Sequence, residues 1–351
     1  MYKPRTTAEW LFCGALTVQA VIVLILETFT LIQWTSWVHP NIIQITISYI
    51  APLNLAILMF ACLYLSILGI DAIYHKNDIL LLAICASNSC GFAYSVMQYR
   101  SIRDTIHRLP PVRDGTGRPL VDQDRDIWPP VKPAQLTAPI VIGLCSLLLW
   151  PLAYQLHRHY EWELYRSIHG DVRTKIRYLA YEIYIVLLKV DFYFIVGFIL
   201  QYNLINVHFD EPEYSLTMAL IPVTLIVMLS GLYFVRSERK IPTICITICY
   251  LGMIAYLLSR IIVLCGTGRR ANTAGKDMML LFAFTALVLT TLTVLSVIRC
   301  IFNFDHGLKN VLKPKKMPSS LSSARGSYLV RPVPQEPRSP VHSSYSRMSI
   351  D

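Results

Sequence analysis

The chain has 351 residues, of which 54% are hydrophobic and 15% charged, and its formal net charge is +10. A soluble globular domain could not bury so much apolar surface, so the composition excludes that class of protein. The excess of basic residues lies largely near the carboxyl terminus, which favours contact with anionic lipid headgroups and argues against a nucleic-acid partner.

Apolar segments follow one another along the chain, each close to the roughly 20 residues that a helix needs to cross a bilayer. We predict an all-α, polytopic transmembrane bundle, because lipid offers no partners to an open backbone. Residues 1–10 form a short N-terminal segment without a cleavable signal pattern, and residues 11–305 form the membrane domain. The eight predicted spans are Leu11–Gln33, Ile45–Ile70, Ile79–Tyr99, Leu136–Leu156, Leu179–Leu204, Ser215–Val235, Ile241–Leu264 and Asp277–Ile301.

The distribution of Lys and Arg among the connections predicts the orientation of this bundle. Connections 35–44 and 206–214 carry none, whereas 157–178 and 236–240 are basic. With eight spans, this places both termini in the cytosol. The long loop predicted at 100–135 disagrees, since its seven Lys and Arg residues fall on the outer side, although five aspartates accompany them.

A rival topology has seven spans and an external N-terminus. In that arrangement Leu136–Leu156, which contains Pro139 and Pro151, would be a re-entrant segment. We favour eight spans because this segment is long enough to cross the bilayer.

Two polar segments flank the later spans. The first half of 157–178 mixes charges with aromatic residues and is predicted to be an interfacial amphipathic helix that ends near Gly170. His157 and His159 diverge on a helix, so no metal site is predicted there. Residues 306–351 carry eight Lys and Arg residues against two acidic ones and are rich in Pro and Ser, which predicts a disordered cytosolic tail.

The predicted tail offers two kinds of contact. Its basic residues favour anionic lipid headgroups, and its length allows cytosolic protein partners. Ser327, Ser339 and Ser349 each lie close to an arginine and are candidate phosphorylation sites, where a phosphate would weaken the attraction to lipid.

Ionisable residues inside the spans are the first candidates for a functional site. Lys189 and Asp191 lie near the middle of the fifth span, where a charge costs about 2.5–3.5 kcal/mol on insertion scales. Residues two apart on a helix point in nearly opposite directions, so each needs a partner on another helix, and Glu27 is our first choice for Lys189. The candidates are Glu27, Glu182, Lys189, Asp191 and Arg260, and an ion, proton or polar-substrate site competes with simple packing ion pairs.

Signals for enzyme chemistry are missing from the sequence. The nine cysteines lie mostly within spans and form no CxxC pair, so we interpret them as small buried hydrophobic residues. There is no HExxH, GxSxG, P-loop or GxGxxG motif. The sequence therefore predicts a protein that is not an enzyme and has no cofactor.

Several strings resemble an uncharacterised fungal family of multi-pass Golgi apparatus membrane proteins. They are His159–Arg166, Gly170-Asp171, Leu188–Phe194, Gly197-Phe198, Leu216-Thr217, Ile221–Thr224, Asn303–Asp305 and Gly307-Leu308. Val190 departs from the pattern, which has an aromatic residue before the aspartate. The resemblance implies residence in the Golgi membrane and no established activity. It draws attention to the loop residues Glu161, Trp162, Glu163, Arg166 and Asp171.

Four functions compete on this basis, and one of them, a lipid-modifying enzyme, lacks any recognisable nucleophile or metal motif in the sequence. We predict a non-enzymatic Golgi membrane protein with a scaffold, sorting or trafficking role. An ion-coupled transporter or carrier that uses the intramembrane charges is the alternative. A seven-helix receptor is the second alternative, and it requires the external N-terminus of the seven-span topology.

Overall fold

Eight long helices make up almost all of the described part of the protein. The computed structural model describes residues 6–38, 46–111, 119–123, 125–167, 172–207, 213–266 and 275–302, with the side chains of 46–49, 163–167, 172–178 and 206–207 left aside. The helices are α1 (Thr7–Trp37), α2 (Thr46–His75), α3 (Asp78–Arg108), α4 (Trp128–Ser167), α5 (Val172–Gln201), α6 (Glu213–Arg236), α7 (Lys240–Cys265) and α8 (Lys276–Phe302). A π-helical turn, Tyr202–Val207, continues α5.

All eight helices are long and apolar enough to cross a membrane. This confirms the prediction of an all-α polytopic fold with eight spans. Helix α4 runs unbroken through Pro133, Pro139 and Pro151, so the re-entrant segment of the seven-span alternative is wrong. Prolines are tolerated inside membrane helices because neighbouring helices and side chains can satisfy the carbonyls that they free.

The connections are shorter than hydropathy predicts. Helix α3 continues to Arg108 and α4 begins at Trp128, so the loop predicted at 100–135 shrinks to 109–127. The first half of 157–178 is not a separate helix, because α4 extends to Ser167. A 40-residue helix is about 60 Å long, twice the hydrocarbon thickness, and its polar last turns carry no hydropathy signal.

The helices form two groups of four that meet along α2, α3, α5 and α8. Helices α1 to α4 pack on one another, and α5 packs on α8, which also packs on α7. At the junction, Tyr94 and Phe194 surround Phe282 with ring centroids 5.3 and 5.5 Å away. A Cβ on Gly197 would lie 2.4 Å from Phe282, so glycine permits the close approach of α5 and α8.

Side chains tie both ends of the first group together. At the end where α1 begins, the Tyr160 hydroxyl donates to Glu9 at 2.9 Å, and Glu9 and Thr6 form a capping box. At the other end, Val38 and Val121 form an isolated antiparallel β-bridge, and the Trp37 indole donates to the Asp122 carbonyl oxygen at 2.9 Å. These contacts fix the depth of α1 against α4 and hence of the polar groups between them.

The predicted tail, residues 306–351 with Ser327, Ser339 and Ser349, lies outside the described residues. The cytosolic placement of both termini also stays a prediction. One end of the bundle holds the start of α1 and the turn between α2 and α3, and the opposite end holds the Val38–Val121 bridge.

Candidate functional site

A carboxyl group lies in the interior of the first helix group, among amides from two other helices. One face of α1 carries buried residues at helical spacing, and Glu27 on this face is fully buried. Its Oε2 accepts from Nε2 of Gln98 on α3 at 3.1 Å and from Nε2 of Gln135 on α4 at 2.9 Å. The Gln135 amide also donates to Thr30 Oγ1 at 3.1 Å. We call Glu27, Thr30, Gln98 and Gln135 the Glu27 cluster.

The Glu27 cluster has more acceptors than donors. Glu27 Oε1 and Gln98 Oε1 are buried and have no hydrogen-bond partner among the described residues. No Lys, Arg or His forms an ion pair with Glu27 within the described part of the chain. A buried acceptor without a donor costs about 1–3 kcal/mol, so this cluster lacks a hydrogen-bond donor or a positive charge.

Two further sets of polar residues lie in the interior of the bundle. Nε2 of Gln19 donates to Asn88 Oδ1 at 2.8 Å, two helical turns along α1 from Glu27. Between the helix groups, Nε2 of Gln201 donates to the Tyr94 hydroxyl at 3.2 Å, and that hydroxyl lies 3.3 Å from Asn54 Oδ1. Each set again leaves buried polar atoms without partners in the described residues, among them Gln19 Oε1, Asn54 Nδ2, Asn88 Nδ2 and Gln201 Oε1.

Lys189 has a different partner from the one predicted. Its Nζ lies 2.5 Å from Asp71 Oδ2 on α2, and Glu27 contacts the amides described above instead. The assignment of Glu27 to Lys189 is therefore wrong. Asp71 follows directly after the predicted second span, and a lysine side chain is long enough to reach toward that end of the helix.

Asp191 faces away from Lys189, as helix geometry requires, and is almost completely buried. Its Oδ1 accepts from the Thr290 hydroxyl on α8 at 3.0 Å. Its Oδ2 has no partner within the described residues. The prediction that Lys189 and Asp191 use partners on separate neighbouring helices is confirmed by these contacts.

Arg260 belongs to a separate cluster near the end of α5 and the start of α6. Its Nη1 lies 2.9 Å from Glu213 Oε1 and donates to the Tyr202 hydroxyl at 3.1 Å, and its guanidinium lies over the rings of Tyr202 and Tyr256. The π-helical turn places Tyr202 toward Arg260. These contacts describe a packing cluster that joins α5, α6 and α7.

Glu182 and the charged end of α4 lie toward the end of the bundle that holds the turn between α2 and α3. Glu182 is close enough to Asp78 for an electrostatic interaction. Nδ1 of His157 lies 2.8 Å from Asp78 Oδ2, and Nε2 lies 3.9 Å from Glu161 Oε2. Across the described ranges, no group of three or more His, Cys, Asp and Glu residues has the arrangement of a metal site.

The loop residues singled out by resemblance are only partly described. Trp162 is largely exposed, and with Glu161 it lines an open groove of about 860 Å³ between the start of α1 and the end of α4. The side chains of Glu163 and Arg166, and Asp171 altogether, lie outside the described residues.

Sequence reasoning did not find the amide residues of the Glu27 cluster. Gln135 falls at the end of the predicted loop 100–135, and Gln98 falls in the last turn of the predicted span Ile79–Tyr99. Neither carries a charge that would mark it as a candidate. A signal was nevertheless present, since Gln19, Glu27 and Thr30 follow one another at helical spacing within an apolar span. Three polar residues on one face of a membrane helix indicate an interior face with partners opposite.

The sequence is similar to that of one curated membrane protein. The chain is 27% identical over 272 residues to a UPF0658 Golgi apparatus membrane protein of Schizosaccharomyces pombe, which covers 74% of this chain and 77% of the relative. No protein-family model and no solved structure matches. The similarity confirms the resemblance predicted from the strings and, with the eight candidate spans, the localisation as a multi-pass Golgi membrane protein.

Proposed function

We propose that this multi-pass membrane protein is a proton-coupled carrier, with Glu27 as the group that takes up and releases the proton. The observation that carries the proposal is the unpartnered pair of acceptors, Glu27 Oε1 and Gln98 Oε1, inside the first helix group. An ionisable residue in a membrane interior is costly, and such residues commonly mark ion and proton pathways. These features favour the ion-coupled carrier over a purely structural role for Glu27.

The chemistry of the cluster favours a proton over a metal cation. Hard cations take six or more oxygen ligands. The Glu27 cluster offers fewer, and Glu27 Oε2 already accepts two hydrogen bonds. A proton on Oε1 needs no such shell, because the protonated carboxyl becomes a donor to a neighbouring oxygen.

A route for the proton or for a polar solute is supported by the other interior polar groups. Gln19 and Asn88 lie nearer the start of α1 than Glu27 does, and Asn54, Tyr94 and Gln201 lie at the junction of the two helix groups. Their unpartnered atoms offer hydrogen bonds to water or to a solute that passes between the helices.

The experiment is uptake into proteoliposomes under an imposed proton gradient, with a panel of labelled sugars, amino acids and nucleotide sugars. We expect at least one solute to accumulate only with the gradient, and Glu27→Gln to abolish that accumulation. Glu161→Gln removes an exposed carboxylate outside the interior and should leave uptake unchanged. Gradient-driven uptake that survives Glu27→Gln would contradict the assignment of Glu27.

A scaffold, sorting or trafficking role is the second candidate. The groove between α1 and α4 favours it, since the largely exposed Trp162 and Glu161 lie there in a string that resembles the relatives' pattern. If this role holds, Trp162→Ala shifts the protein out of the Golgi in fluorescence microscopy while Glu27→Gln leaves its distribution unchanged. The opposite pattern supports the carrier.

A further inference from the structure

A cavity lies between the end of α3 and the start of α8, where the two helix groups meet. Its volume is about 430 Å³, which falls in the range of roughly 300–1,000 Å³ that small-molecule sites occupy. Arg100, Asp104 and Arg108 line it from one face of α3, where they recur at every fourth residue. Lys276 and Asp277 line it from the first turn of α8. Three cations and two carboxylates therefore surround one space.

The charges around this cavity are not paired with one another. None of the five side chains forms an ion pair with another residue in the described ranges. Lys189 and Arg260 differ in this respect, since each contacts a carboxylate. The cations of the cavity are in excess, and Lys276 among them is half-buried. A cleft with an excess of one charge concentrates solutes of the opposite charge, so this cavity favours an anion.

The three cations fit a phosphate group better than a carboxylate. A phosphate monoester carries about −1.5 to −2 charges and three acceptor oxygens, so it can accept from three cations at once. A carboxylate has one charge and two oxygens. The arginine guanidinium also donates two parallel hydrogen bonds to a phosphate. Ser101 and Asp104 lie between the two arginines and offer hydrogen bonds to hydroxyl groups of the same ligand.

The cavity lies near the Glu27 cluster along α3. Thr105 is buried, lines the cavity and lies seven residues from Gln98, which donates to Glu27. Seven residues are nearly two turns, so Thr105 and Gln98 share one face of α3 and lie about 10 Å apart along the helix. A solute in the cavity is therefore close to the group that takes up the proton in the proposed carrier.

We propose that this cavity binds a small, soluble phosphate ester that has hydroxyl groups, and that the phosphate contacts Arg100, Arg108 and Lys276. The role of this ligand as the carrier's substrate rests on the function proposed above, whereas binding itself requires neither a proton gradient nor Glu27. A lipid headgroup carries the same phosphate chemistry, so the experiment includes both sources.

The test is isothermal titration calorimetry on the purified full-length protein in phosphatidylcholine nanodiscs, with three matched probes. Glucose 6-phosphate, glucuronate and glucose carry a phosphate, a carboxylate and no charge at the same end of one sugar. We expect glucose 6-phosphate to bind at least tenfold more tightly than glucuronate, and glucose not to bind measurably. Equal affinity for glucose 6-phosphate and glucuronate, or no binding of glucose 6-phosphate, would overturn the proposal.

A change of lipid distinguishes the soluble ester from a headgroup. Phosphatidic acid has a phosphate monoester headgroup, and phosphatidylglycerol supplies negative charge without one. Glucose 6-phosphate should bind equally well in nanodiscs that contain either lipid. Loss of binding with phosphatidic acid alone would assign the cavity to a lipid headgroup and contradict the soluble ligand.

Single variants locate the site. Arg108→Gln and Lys276→Gln each remove one cation and should weaken the binding of glucose 6-phosphate at least fivefold. Arg103→Gln removes an exposed cation that helix geometry turns away from the cavity-lining face of α3, so the affinity should change less than twofold. Size-exclusion chromatography checks that each variant is folded. Folded Arg108→Gln and Lys276→Gln proteins that bind as the wild type does would show that the site is elsewhere.

Glu27→Gln separates this inference from the carrier function. This variant should bind glucose 6-phosphate as the wild type does, because Glu27 lies outside the cavity. Gradient-driven uptake of another solute without any binding of glucose 6-phosphate would refute the phosphate site and leave the carrier standing. Binding of glucose 6-phosphate without gradient-driven uptake of any solute would support the site and count against the carrier alone.

Discussion

Individual polar residues in this bundle are held by partners on other helices, and the character of each partner separates packing from function. Lys189 and Arg260 each contact a carboxylate, Asp71 and Glu213, so their charges are balanced. Glu27 and Asp191 accept hydrogen bonds from neutral amides or a hydroxyl and each keep one oxygen without a partner in the described residues. The balanced pairs have the features of packing contacts, whereas the two carboxyls are available to a proton or a ligand.

Removing one member of the Lys189–Asp71 pair tests the corrected partner. Lys189→Met leaves a partly buried carboxylate without its cation, and we expect a loss of about 1–3 kcal/mol in stability, seen as a lower thermal midpoint in detergent. Adding Asp71→Asn should restore part of that loss, because no lone charge remains. Adding Glu27→Gln should restore none; if it restores as much as Asp71→Asn, the pairing described here is incorrect.

A second residue-scale prediction concerns Gly231. A Cβ there would lie 2.6 Å from the Tyr184 hydroxyl, so Gly231→Ala should destabilise the protein by about 1–3 kcal/mol through overpacking. Tyr184→Phe removes the clashing oxygen and should rescue the variant. Tyr250→Phe serves as the control, because its hydroxyl lies 3.4 Å away and its removal should rescue far less. Thermal midpoints of the single and double variants measure the effect, and equal rescue by both would count against this packing.

Polar residues of α5 contact helices of both groups. Lys189 on one face contacts α2 and Asp191 on the opposite face contacts α8. At the end of α5, Gln201 donates to Tyr94 on α3, and Tyr202 in the π-helical turn contacts Arg260 on α7. A π-helix has a wider turn, and such segments are frequent at functional sites. This helix therefore links the two helix groups.

The close packing of α5 on α8 depends on the absence of a side chain at residue 197. Alanine normally favours a helix over glycine by up to about 1 kcal/mol. Gly197→Ala should nevertheless lower the thermal midpoint, because its Cβ would lie 2.4 Å from Phe282. Gly91→Ala, in open space on α3, should leave the midpoint unchanged or raise it. A stabilising effect of Gly197→Ala would mean that α5 and α8 are farther apart than described.

Helix number and type were predictable from the sequence, and helix ends were not. Uninterrupted apolar segments identify spans because only a helix satisfies its backbone in lipid. The polar turns at Arg100–Arg108 and Trp128–Gln135 carry no such signal, so they were assigned to a loop. For the same reason Asp71, just past a predicted end, was overlooked as the partner of Lys189. Uncharged amides such as Gln98 and Gln135 stand out only when the facing carboxyl is known.

At the scale of the whole molecule, the positions of the termini follow from the even number of spans together with the basic connections. We propose that both termini are cytosolic and that residues 306–351 form a basic cytosolic tail. Protease treatment of sealed vesicles, with an epitope tag at each end, measures this directly. Both tags should be digested without detergent, whereas protection of either tag contradicts the orientation.

The two helix groups differ in what they enclose. The first group encloses the Glu27 cluster, and the second contains a cavity between α5, α6 and α7. The aromatic contacts around Phe282 join them.

The claim that Glu27 exchanges a proton inside the membrane is tested most directly by solid-supported membrane electrophysiology on proteoliposomes. A rapid pH step should produce a transient charge displacement even without a solute, because a proton that binds within the bilayer moves through the membrane field. We predict this displacement in the wild type and in Glu161→Gln, and its loss in Glu27→Gln. A displacement of equal size in Glu27→Gln and the wild type would contradict the account.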